Sequence, residues 1–65
     1  MAGNASPSVM AAIKVDQLNH CSSLEEQQQK AREILDWMSG YETRQCKVVE
    51  DFQPFRQQLR QIIAS

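Results

Sequence analysis

An all-α fold is the class this sequence predicts, and three observations carry that expectation. Counting Met10 as the first position of a heptad, the first and fourth positions run Met10, Ile13, Gln17, His20, Leu24, Gln27, Ala31, Ile34, Met38, Tyr41, Gln45, Val48, Phe52, Phe55, Leu59 and Ile62. Twelve of those sixteen are apolar, against 42% for the whole chain, so a helical period stands above composition. Two overlapping helix-start signatures, Ser22 with Glu25 and Ser23 with Glu26, place a hydroxyl and a carboxylate three residues apart, where each satisfies exposed helix-terminal amides. Glycine occurs only twice in 65 residues, and no alternating strand pattern competes.

Taken in order, residues 1–6 are small and polar and are expected to be a disordered N-terminus. Ser6-Pro7 reads as a helix entry, a hydroxyl cap followed by a proline whose missing N–H costs nothing in the first turn. The simplest arrangement is an antiparallel helical hairpin: helix 7–38, a turn at Ser39-Gly40, and a second helix over 41–64, kinked at Pro54. Pro54 lies opposite the apolar stripe of Val48, Phe52, Phe55, Leu59 and Ile62, so a bend there keeps the face intact, with a full break between Phe52 and Phe55 as the alternative. The Ser22-Ser23 signal offers a third arrangement, three helices with a break at that point, making Pro7 to His20 a separate segment. One unbroken helix would run about 85 Å and carry Gly40 at its centre at a cost of about 1 kcal/mol. In the hairpin Ala31 faces Val48 and Leu24 faces Phe55, Gln17, His20 and Gln27 form polar core layers, and Met10 and Ile13 overhang without partners.

Composition bounds the function. A chain this short buries about 60% of its unfolded surface and is marginal without disulfides, a metal or another chain. Cys21 and Cys46 are the only cysteines, form no Cys-x-x-Cys pair, and in the hairpin would stand about 18 Å apart, too far for a disulfide. The longest apolar run, Val9 to Ile13, falls far short of the roughly 20 residues that span a bilayer, and no basic leader precedes it, so a soluble, cytoplasmic chain is expected. Seven Lys and Arg balance eight Asp and Glu, leaving no global field for nucleic acid or membrane.

His20-Cys21 is the one juxtaposition that invites chemistry, yet adjacent helical residues diverge by about 100° and no third ligand has metal spacing. The carboxylates are spread over polar positions, Glu26 with Lys30 forming an i, i+4 pair, and no glycine-rich phosphate loop occurs. The sequence therefore predicts no enzyme, no cofactor, no metal and no small-molecule substrate.

What remains is surplus apolar area. Cys21, Leu35, Val49 and Ile63 repeat every fourteen residues beside the core stripe, Trp37 adjoins them, and Met10 and Ile13 overhang. One helix pair needs only its seam, so these seven are expected to bind another protein chain, a second copy or a hetero-partner, completing a helical bundle. The expected function is a non-enzymatic protein–protein interaction module: a small subunit, adaptor or chaperone-like partner. The alternative is a small dimeric nucleic-acid-binding regulator using Lys47, Arg56 and Arg60 of the mildly basic C-terminal segment. A third reading is a thiol switch at Cys21 or Cys46.

Overall fold

The computed structural model describes residues 6–65, and these form three α-helices with no strand among them: α1 (Pro7–Asp16), α2 (Leu24–Gln45) and α3 (Gln53–Ala64). A 3₁₀ turn at Gln17–His20 extends α1, and a second at Glu50–Phe52 leads into α3. The expected disordered segment lies outside the described residues except for Ser6, which is the N-cap of α1 and accepts a hydrogen bond from the Val9 amide at 3.3 Å.

Of the arrangements open to the sequence, the three-helix one is found. The break falls at Cys21-Ser22-Ser23, where Ser23 Oγ accepts from the Glu26 amide at 3.2 Å and Glu26 Oε1 accepts from the Ser22 amide at 2.8 Å. Two backbone amides at the start of α2 are thus engaged, which favours a fresh helix over continuing the old one.

The turn at Ser39-Gly40 is corrected. The structure runs α2 straight through it to Gln45, and Gly40 keeps a helical, negative φ. Glycine lowers helix stability but does not end a helix that packs well on both sides, and Met38 and Tyr41 flanking it are buried and half-buried. The stop comes six residues later at Cys46, whose left-handed φ of 57° lets its amide bond back to Glu42 and Thr43. Tyr41–Gln45 therefore belong to α2, and the helix over 41–64 is replaced by a connector through Val49 and a shorter α3. Pro54 makes no kink, because it sits in the first turn of α3, where its missing amide is harmless. With the reversal moved to Cys46–Val49, the register changes too: Gln28 reaches the carbonyls of Ile62 and Ile63, and Glu42 meets Arg56.

The core gathers Ala11, Val15 and Leu18 from the first segment, Ala31, Ile34 and Met38 from α2, then Val49, Phe52 and Leu59. Leu35, Trp37, Tyr41, Phe55, Ile62 and Ile63 pack against its edge. Phe52, Met38 and Leu59 are its largest fully buried side chains. The heptad phase holds for Ala31, Ile34 and Met38 and again for Phe52 and Leu59, but fails in α1, where Ala11, Val15 and Leu18 point inward in place of Met10, Ile13 and Gln17. No polar residue is buried among those described, which corrects the polar layers: Gln17 and His20 are exposed, and half-buried Gln27 donates to the Leu18 carbonyl at 3.2 Å.

Candidate protein-binding face

The residues expected to bind a partner divide sharply. Val49 is 7% exposed and belongs to the core, so it cannot be offered to another chain. Leu35, Trp37 and Ile63 are half-buried against the protein's own core, so most of the area that seemed surplus is taken up by α1 folding onto α2 and α3. Trp37 shows how. Its ring lies 5.8 Å from Tyr41 and 5.4 Å from Phe52, Tyr41 meets Phe52 edge-on at 5.7 Å, and Lys14 of α1 places its ammonium 4.9 Å from the indole centre. That cation–π contact and the aromatic trio give the indole neighbours from three parts of the chain. Cys21 is half-buried, with its thiol directed at the Gln17 carbonyl at 3.8 Å.

The apolar area that stays open is on α1. Val9 is 49% exposed and Ile13 58%, one helical turn apart, with Ala12 exposed between them and Met10 half-buried beside them. Because Ala11, Val15 and Leu18 fill the inner side, α1 is apolar on both faces, and its only charges are Lys14, held over Trp37, and Asp16. A helix of that kind is at home between two layers, and the other described residues provide one. Leu24 at the start of α2 and Val48 in the connector are the other large exposed apolar residues, at 51% and 67%.

The basic residues do not converge. Arg56 is consumed by Glu42: its Nη2 donates to Oε1 at 2.6 Å and its Nη1 to Oε2 at 3.0 Å, while the Val49 amide donates to Oε2 at 2.8 Å. Both side chains are largely covered, at 12% and 16% exposure. The Arg56 hydrogen bond first, then the Val49 amide, hold the Glu42 carboxyl below the usual carboxylate range; burial opposes them less strongly, and the Arg56 charge adds the least. Lys47 and Arg60 remain exposed, so of the three possible nucleic-acid contacts the central one is already neutralised.

Two open grooves are of note among the described residues. One, of about 460 Å³, lies between the first segment and α2 beside His20 and Cys21, with Glu26, Lys30 and Glu33 on its far wall. The other, of about 450 Å³, is bounded by Pro7, Tyr41 and the connector residues Lys47 to Asp51. No group of three His, Cys, Asp or Glu that could hold a metal occurs among the described residues. Lys30 pairs with Glu33 at 4.0 Å, not with Glu26, whose carboxylate is engaged at the helix start. Both cysteines are free, and no described helix is long and apolar enough to cross a membrane.

The chain matches no known protein family, no curated protein and no solved structure.

Proposed function

We propose that this chain is a non-enzymatic protein-binding module that docks through the outer face of α1. One observation carries the reading: Val9 and Ile13, at 49% and 58% exposure, stand open on a helix whose other side is already packed, so the same short helix has a second apolar face that none of the other described residues covers. The partner-binding set contracts accordingly to Met10 and Ile13, joined by Val9 and Ala12. The nucleic-acid alternative loses support, because Arg56 gives both terminal nitrogens to Glu42 and so offers no free charge to phosphate.

A photo-crosslinking side chain at position 13, compared with one at exposed Gln57 on α3, tests the reading. Position 13 should form a protein adduct in cells that position 57 does not. Ile13→Lys should weaken the reconstituted complex about tenfold or more, the worth of one buried aliphatic side chain. Equal crosslinking at the two positions would remove the docking face.

A further inference from the structure

We propose that the chain docking on this face is a second copy of the protein, the two α1 helices packing antiparallel across a two-fold axis. The inference rests on the reading that the outer face of α1 binds protein, and it names the partner. Ser6, Val9, Ile13 and Asp16 form the outer seam, at steps of three, four and three residues, and all four are exposed. A seam so spaced reads the same in both directions. Antiparallel placement therefore sets Val9 against Ile13 of the second copy, Ile13 against its Val9, and Asp16 against its Ser6, the self-complementarity that a two-fold interface requires. Exposed Ala12 beside the seam allows the helices to approach closely.

Charge selects this arrangement over its rivals. The first turn of α1 has no acidic residue to complement the positive end of the helix, while its one acid, Asp16, stands at the opposite end and gains nothing from its own helix dipole. Turning a second α1 end for end brings each Asp16 to the N-terminus of the other, so two equivalent contacts form. Parallel packing would place like ends together, and Lys14, drawn over Trp37, supplies no countercharge. A membrane surface is disfavoured by the same count, since α1 lacks the cationic polar face that interfacial helices use. A helix of ten residues is about 15 Å long and covers far less than the roughly 800 Å² per partner of a stable interface, so the dimer is weak and concentration-dependent.

Sedimentation equilibrium from about 10 µM to about 1 mM is the test, a range that spans weak affinities. The average mass should climb from 7.4 kDa toward twice that value. Ile13→Lys should keep its helicity and lose the rise. Asp16→Lys should weaken association about tenfold, the combined effect of two lost helix-end contacts. Ser6→Asp, which retains a capping side chain but faces Asp16 of the second copy, should weaken it too, and the double variant should recover most of the affinity by pairing Asp with Lys. A chain that stays monomeric throughout, an Ile13→Lys variant that associates like the parent, or single effects that merely add in the double variant would each overturn the proposal. Crosslinking at position 13 to a different protein, with the isolated chain monomeric, would overturn this inference and leave the docking face standing.

Discussion

Arg56 closes on Glu42 through both of its terminal nitrogens, at 3.0 Å and 2.6 Å, and the same carboxylate accepts the Val49 amide at 2.8 Å. One acid on α2 thereby fixes α3 and the connector between them. Because the folded protein holds Glu42 below its ordinary value, the stabilisation is complete above the unfolded carboxylate's pKa and is lost as pH falls through the folded value. Thermal unfolding should show a falling Tm on acidification from neutral pH. In Glu42→Gln the Tm should be lower at neutral pH and the difference should shrink in acid. A variant with the same Tm at pH 7 would dissolve the clasp.

Gly40 and Cys46 hold each other's preferred residue. Gly40 is helical with room for a Cβ, whose nearest neighbour would be the flexible Arg44 Nη1 at 3.5 Å. Gly40→Ala should stabilise by about 0.5–1 kcal/mol. Cys46, at a φ of 57°, bears left-handed strain that glycine avoids, so Cys46→Gly should stabilise by about 1 kcal/mol. Urea midpoints check both, and a loss in either would refute the local reading.

Phe52 is fully buried at the meeting of the three segments. Phe52→Ala should cost about 3–5 kcal/mol, most of what a domain of this size has. The same measurement on exposed Ile13→Ala should differ little from the parent, and a comparable loss there would mean that α1 packs the other way round.

Ser23 caps α2 through the Glu26 amide. Ser23→Ala should cost about 1 kcal/mol by chemical denaturation, and Ser22→Ala, whose contribution is a backbone amide, much less.

The helical class, the entry at Ser6-Pro7 and the start of α2 were legible because each is written in adjacent residues. The period located Ala31, Ile34, Met38, Phe52 and Leu59 for the same reason. What could not be read locally was which of two weak punctuation marks ends α2. Gly40 is the conventional stop residue and Cys46 is not, and only the packing of Met38 and Tyr41 decides between them. The facing of α1 was hidden by its own composition: a helix apolar on two sides has no single stripe, and a heptad phase carried across the Cys21–Ser23 break put Met10 and Ile13 on the stripe, left them overhanging, and overlooked Ala11, Val15 and Leu18. Moving the reversal also brought Glu42 to Arg56, a pairing no count centred on Gly40 produces. Of the residues expected to bind a partner, Ile13 is exposed and Met10 half-buried among the described residues.

Trp37 is the sole tryptophan, and it touches Lys14 from one end of the chain and Phe52 from the other. Its emission is therefore a built-in gauge of assembly. If α1 swings away while α2 and α3 stay coiled, the ammonium leaves the indole and water takes its place, so fluorescence shifts to the red before circular dichroism changes. That ordering of signals makes the release of a single helix measurable without any label.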